Sequence, residues 1–542
     1  MKKFYILALL FLIHYNSFAQ CNNPKTKIVI LGDSWAFFSW QGDSYNENLE
    51  RFGFTDIEAK SNAEISVNGT KASNYFNDNT RKLAVKNFID THPELEFVHL
   101  SLGGNDLLGN WNKNMTTSEI DAILSTLMFN LKRSIDTIHS FNPNLKILLS
   151  GYDFPNFSET VEILSPSWLQ EEHPFYDLWH DMGEPTPTEI NNMEIKGTNL
   201  FIDSTNVWEN VFFVNNLGLM QWHYGQDEAL QVAPFGTYAQ YTAPVPGGFS
   251  NYPSPLDALN FDGLDAFHLN DNAYEKFIKR HFDEFYWKQL RNADTTLISV
   301  NNSSVNNITI ANDLNLGNVN AEQSKIILTF NTNDLLNKDI ENASIFIQRN
   351  NLVGNNLINE ELRLEIRQEY FGSNFNIENE DFDNESHFSE VACTYGTVSK
   401  NDFWYRIDLS EDILPFINRN STVQFRLSFD VSESDRYLSF NTENEKIFLD
   451  IKYGEGEYEP IVISVNDVEE KDLIIYPNPV SDFLYLKSEE IIQEFFLKDI
   501  SGKEYKTYFQ ENKLDTRNLP QGLYFVSIKT SNNFLNFKFV KQ

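Results

Sequence analysis

Two cysteines, Cys21 and Cys393, are too few for a disulfide-stapled scaffold, so the chain must rely on ordinary hydrophobic cores. One bridge between them is the most the chain can form. Basic residues are also scarce, with 42 Lys and Arg against 77 Asp and Glu and a formal charge of -35. Such a surface repels nucleic acid and anionic lipid and provides no broad positive field for a polyanionic substrate. Past the first 20 residues, no run reaches the roughly 20 apolar residues that span a bilayer, so no membrane span is expected. His173, His180 and His223 fit no recognised ligand spacing, and neither a metal nor any other cofactor is expected.

The first 20 residues are different. Lys2 and Lys3 precede the apolar stretch Phe4 to Ile13, and Ser17-Phe18-Ala19 supplies the small residues read by a signal peptidase. Residues 1–19 are therefore expected to be a signal peptide cut after Ala19. Gln20, standing before Cys21 where a lipoprotein has a small residue, argues against lipid anchoring.

With 542 residues there is room for three or four domains. Across residues 25–292, the apolar runs Lys27 to Leu31, Phe97 to Leu102, Leu145 to Ser150 and Val211 to Val214 alternate with amphipathic stretches. This pattern predicts a parallel sheet covered by helices. Tyr274, Phe277, Ile278, Phe282 and Phe285 recur at helical spacing, predicting a closing helix over 273–290 with Asn270, Asp271 or Asn272 as cap. Over residues 296–462, Asn-, Ser- and Thr-rich turns separate short alternating runs such as Lys325 to Phe330 and Val423 to Phe429, predicting a β-sandwich. It is either a carbohydrate-binding module or a spacer. Glu378 to Asp383 is rich in carboxylates but lacks full calcium-ligand spacing, and reads as a solvated loop.

Residues 467–542 contain Tyr476-Pro477-Asn478-Pro479, the turn Asp499 to Lys503, and Leu519-Pro520-Gln521-Gly522-Leu523-Tyr524. Taken alone, these are a proline-edged strand start and a glycine turn in a hairpin. Together they resemble the C-terminal sorting domain of the type IX secretion system, a small β-sandwich. The resemblance implies export through the periplasm by that machinery, to the cell surface or beyond.

The chemistry-bearing residues fall in three blocks. Ile28-Val29-Ile30-Leu31 runs into Gly32-Asp33-Ser34, placing a serine at the mouth of a buried sheet. A serine hydroxyl is a weak nucleophile and needs a base, which in turn needs an acceptor to hold its tautomer. His268 and Asp265, three residues apart, provide both; Asp262 and Asp257 are alternative acids, with Asp265 favoured by spacing. Acyl transfer also needs donors aimed at the developing oxyanion. Asn105, in Gly103-Gly104-Asn105-Asp106 just past a strand end, offers a side-chain amide, and the backbone amides of Ser34 and Gly69 are further candidates.

Those positions resemble the SGNH, or GDSL-type, hydrolases over about residues 25–290, with Ser34, Gly69, Asn105 and His268 filling the four named places. The resemblance implies a flavodoxin-like three-layer α/β/α fold and metal-free ester hydrolysis. It makes Ser34 the nucleophile, His268 the base, Asp265 its orienting acid, and Ser34, Gly69 and Asn105 the oxyanion hole. Trp35 and Leu269 depart from the usual pattern, and the interval between Asn105 and Asp265 is long. Eight of the nine tryptophans, all but Trp404, precede residue 290. Trp35 and Trp111, next to the catalytic blocks, are the candidates for stacking on a sugar.

The expected activity is a carbohydrate O-acetyl esterase acting on an acetylated polysaccharide or oligosaccharide. A lipase, lysophospholipase or arylesterase is the alternative, with Phe37, Phe38, Trp40 and Phe154 lining an apolar trough. A non-catalytic glycan-binding surface protein is the third reading, opposed by the presence together of Ser34, Asn105, Asp265 and His268.

Overall fold

The computed structural model describes residues 23–164, 167–224, 248–306, 310–336, 338–355, 357, 360–396, 400–429, 431, 433–457, 473–476, 478–488, 492–499, 503–507, 509–510, 513–530 and 534–542. The expected signal peptide, Cys21, Pro477 and residues 500–502 lie outside them. Cys393 is disulfide-bonded. The chain divides into two compact units, residues 1–458 and 459–542.

The first unit begins with a five-stranded parallel sheet in the order β2-β1-β3-β4-β5, where β1 is Lys25–Gly32, β2 Ile57–Lys60, β3 Phe97–Ser101, β4 Lys146–Ser150 and β5 Val211–Val214. This is the flavodoxin-like doubly wound order, and its reversal of direction on either side of β1 opens a crevice at the strands' carboxyl ends. Apolar clusters cover both faces. Ile28, Ile30 and Leu148 pack on one side, and Val29, Leu31, Val98, Leu100, Ile147 and Leu149 on the other. Both faces of the strands are buried, which explains why they read as unbroken apolar runs rather than alternating ones.

The predicted closing helix starts at Asp271, where the Asn270 side chain accepts from the Ala273 amide. It runs to His281, passes through a π-helical turn at Phe282–Tyr286 and ends at Arg291.

From Thr295 onward the unit is a 13-stranded antiparallel sheet. It folds over on itself, so that Ile326, Leu328 and Phe330 on one half share a core with Ile345, Ile347, Leu449 and Ile451 on the other. The Glu378 to Asp383 segment includes a 3-10 turn in which buried Asp381 accepts from the Glu378 amide at 2.8 Å. The α/β layers and this sheet meet through an aromatic seam. Trp287 packs on Phe346 and Trp404 at 5.3 and 5.2 Å between ring centroids, and Trp404 packs on Phe448 at 5.1 Å. Arg291 forks onto the Asp450 carboxylate, and Arg406 reaches Asp56 at 2.7 Å.

The second unit consists of two four-stranded antiparallel sheets. Its core contains Val480, Leu484, Leu497, Val526 and Phe539, with Leu519 and Tyr524 of the terminal motif. The Tyr524 hydroxyl donates to the Pro520 carbonyl at 2.9 Å and its ring stacks on Phe539. No helix among the described residues is long and apolar enough to cross a membrane.

Candidate active site

β1 ends at Gly32, where any side chain would collide with β3: a Cβ there would stand 2.2 Å from the Ser101 carbonyl oxygen. Helix α1, Ser34–Gln41, starts two residues later, with the Asp33 side chain accepting from the Trp35 amide at 3.0 Å as its N-cap. Ser34 is thereby held on the first turn of a helix at the carboxyl edge of the sheet. Its own amide is among those a helix leaves without an internal partner.

His268 reaches Ser34 from a loop near the other end of the α/β half. The loop is held by the Asn260 amide donating to the His268 carbonyl and the Asn156 amide donating to the Ala266 carbonyl, at 2.9 and 2.7 Å. The distances are 2.7 Å from His268 Nε2 to Ser34 Oγ and 2.8 Å from Nδ1 to Asp265 Oδ2. The other Asp265 oxygen accepts from the backbone amides of Phe267 and His268, so a buried carboxylate is satisfied on both sides. Asp257 and Asp262, the alternative acids, are exposed. Phe38 and Phe267 flank the imidazole at 4.9 and 4.3 Å.

Asn105 lies on the short helix α2, Gly104–Leu108, directly after β3. Its Nδ2 donates to the Thr70 carbonyl at 3.2 Å and approaches Asp33 Oδ2 at 3.5 Å. Gly69 belongs to the same loop as Thr70, which β1 anchors by accepting from the Val67 amide at Gly32. Gly69 has φ of +76° with open space where a Cβ would be, so glycine is favoured there for its backbone conformation.

Sequence reasoning gave no role to the group beneath these residues. The Asp33 carboxylate accepts from the Tyr152 hydroxyl at 2.6 Å and from Ser101 Oγ at 3.3 Å, and burial raises it to about 6. Tyr152 follows β4, and the rule that sites gather at strand carboxyl ends was the signal available for it. Ser34, Asn105, Tyr152, Asp153, Glu194 and Phe267 are among the residues around a cleft with about 30 Å³ of cavity volume. That is room for one or two waters or a small acyl group.

The two tryptophans expected to stack on a sugar do not offer open faces. Trp35 is 5% exposed, and its indole is enclosed edge-on by Tyr152, Tyr274 and Phe277, leaving it only a part of the cleft wall. Trp111 is 7% exposed within the cluster on the opposite side of the sheet. In both cases the local backbone turns the indole inward, where burying its large apolar area is favoured over exposure. Of the expected trough residues, Phe154 is fully buried, while Phe37, Phe38 and Trp40 are partly exposed. Among the described residues no group of three or more His, Cys, Asp or Glu is placed to hold a metal ion.

Residues 474–542 match the family described as the secretion system C-terminal sorting domain. The chain thus carries an address for export to the cell surface or beyond. No curated protein matches the sequence. Solved structures similar to the chain include the family 3 carbohydrate esterase of Clostridium thermocellum, 15% identical with a TM-score of 0.25, covering 49% of this chain and 99% of that one. The periplasmic domain of the lipopolysaccharide acetyltransferase of Salmonella ser. Paratyphi A is 13% identical with a TM-score of 0.28, covering 49% and 86%. The extracellular lipase of Streptomyces rimosus is 12% identical with a TM-score of 0.24, covering 48% and 98%.

Proposed function

We propose that the protein is an exported serine ester hydrolase of the SGNH type that removes short acyl groups, acetate above all, from carbohydrate. The observation that carries this reading is the continuous relay Ser34 Oγ, His268 Nε2, His268 Nδ1, Asp265 Oδ2, with both links under 3 Å. In this reading the Ser34 hydroxyl donates to Nε2 while Nδ1–H donates to Asp265. As Oγ attacks the ester carbonyl, His268 takes its proton, and the Asp265 carboxylate stabilises the resulting imidazolium without accepting the proton. The oxyanion would be met by the Asn105 side-chain amide and the backbone amides of Ser34 and Gly69. His268 then returns the proton to the leaving alcohol, and a water activated by the same nitrogen releases the acyl group from Ser34.

The acyl preference is supported by the narrowness of the cleft beside Ser34, where Tyr152, Asp153 and Phe267 close in among the described residues. The carbohydrate preference rests on the union of such a site with a large β-sandwich and an export domain, and is an inference from architecture. The type IX machinery is the export partner.

The test is turnover of p-nitrophenyl acetate and p-nitrophenyl octanoate by the full chain and by Ser34→Ala. Acetate preference lost in the variant supports the reading. Octanoate preference moves it to a lipase, and equal rates in both proteins remove the serine mechanism.

A further inference from the structure

We propose that Glu194 forms the alcohol-side subsite of the Ser34 cleft, accepting a hydroxyl of an uncharged sugar beside the acyl group and turning away esters whose alcohol carries an anionic group. The inference rests on the ester hydrolase reading above and deepens it. Glu194 lies on helix α3, Pro187–Thr205, and lines the same cleft as Ser34 and Asn105. The helix is fixed there by its buried face, where Asn191 donates to the carbonyls of Ser250 and Tyr252 and Phe201 packs into the core.

Two observations distinguish this carboxyl from an ordinary surface acid. It is half-buried, and among the described residues no hydrogen-bond donor meets it. Asp153, the neighbouring carboxyl in the cleft, is by contrast filled by the backbone amides of Phe154, Gly218 and Met220, at 2.8, 2.6 and 2.6 Å. Among the described residues the lining also contains no lysine or arginine. Burial and the charge of Asp153 raise Glu194 to about 7. A half-buried carboxyl that lines the cleft keeps acceptor capacity for an entering donor, and a substrate hydroxyl on the alcohol side of the ester is such a donor. A uronate or sulfate would bring a further negative charge beside the Glu194 and Asp153 carboxyls, with no lysine or arginine among the described lining residues to offset it.

The experiment compares kcat/KM of the full-length wild type, Glu194→Gln and Glu194→Ala on a mono-O-acetyl methyl glucoside, its analogue lacking the neighbouring hydroxyl, and the corresponding glucuronide. The wild type should favour the glucoside over each of the other two by about tenfold, the scale of one hydrogen bond to a charged group. Glu194→Gln should bring the glucoside-to-glucuronide ratio to about twofold or less, and Glu194→Ala should abolish the penalty for the missing hydroxyl. Equal ratios in all three proteins would overturn the subsite. If Ser34→Ala hydrolyses these esters as fast as wild type, the hydrolase reading fails separately. The subsite is then read from calorimetric binding of methyl glucoside and methyl glucuronide to the Ser34→Ala protein. Glucoside binding lost on adding Glu194→Ala supports the subsite, and binding that is absent or indifferent to Glu194 overturns it.

Discussion

The Tyr152 hydroxyl donates to the Asp33 carboxylate at 2.6 Å, joining the second residue beyond β4 to the cap of the helix that begins with Ser34. Asp33 also touches Asn105 and Ser101, so one buried carboxylate braces the Ser34 helix and Asn105 together. Tyr152→Phe removes one donor from a buried carboxylate. The expected cost is about 1–3 kcal/mol of stability. Thermal melts and p-nitrophenyl acetate kinetics on the variant should show both a lower midpoint and a lower kcat; an unchanged kcat would mean that the brace does not reach the site.

Ser34→Ala and His268→Ala should each lower kcat by a factor on the order of 10⁶, and Asp265→Ala by about 10⁴, because the three side chains act as a unit. The same logic makes the double variant Ser34→Ala/His268→Ala no slower than either single one. Single-turnover rates on p-nitrophenyl acetate would reveal any additivity.

Asn105→Ala should lower kcat by about 10²–10³ with little change in KM, as expected for a donor used mainly in the transition state. A rise in KM at constant kcat would instead assign Asn105 to ground-state binding.

Much of this constellation was legible because it is local. Ile28 to Leu31 is an unbroken apolar strand leading into Gly-Asp-Ser, and Asp265 and His268 share a turn whose backbone amides organise the carboxylate. What escaped depends on distance or on which way a side chain faces. Tyr152 and Glu194 line the cleft at Ser34 only because β4 and α3 deliver them to the same crevice, and no spacing in the chain records that. Trp35 and Trp111 stand next to catalytic blocks, yet adjacency in sequence does not determine orientation, and both indoles turn inward. The short strand Ile57–Lys60 carries alternating apolar and charged residues at the sheet edge, too brief a pattern to be read alone.

Stability should vary with pH through a buried histidine pair. His281 is lowered from 6.5 to about 3 by burial, and His99 beside it is also lowered. In the unfolded chain each takes up a proton near its ordinary value, so their neutral burial contributes stability above about pH 6.5 that declines as pH falls toward about 3. Asp33 and Asp153, raised to about 6 and 7, act in the opposite sense and favour the folded state at low pH, losing that contribution as pH rises through those values. His281→Gln should therefore shift the difference in urea midpoint between pH 7 and pH 4 in favour of pH 4. An unchanged difference would exclude His281 as a contributor.

Gly32→Ala should destabilise the fold by about 2 kcal/mol or more, because backbone rather than a movable side chain occupies the space for its Cβ. Urea unfolding of the full chain would measure it, and a change under about 0.5 kcal/mol would show that β1 and β3 can separate there.

The aromatic seam around Trp287 makes residue 292 a poor place to divide the protein. Phe52, Phe54 and Trp287 from the α/β half and Phe346, Trp404 and Phe448 from the sheet bury one another, so neither half completes its own interior. Heat or denaturant should find a single cooperative transition through residue 457, and a polypeptide ending at 292 would present a sticky aromatic scar to solvent. The β-sandwich and the α/β half thereby share one interior, and residues 23–457 stand or fall as a single packed body.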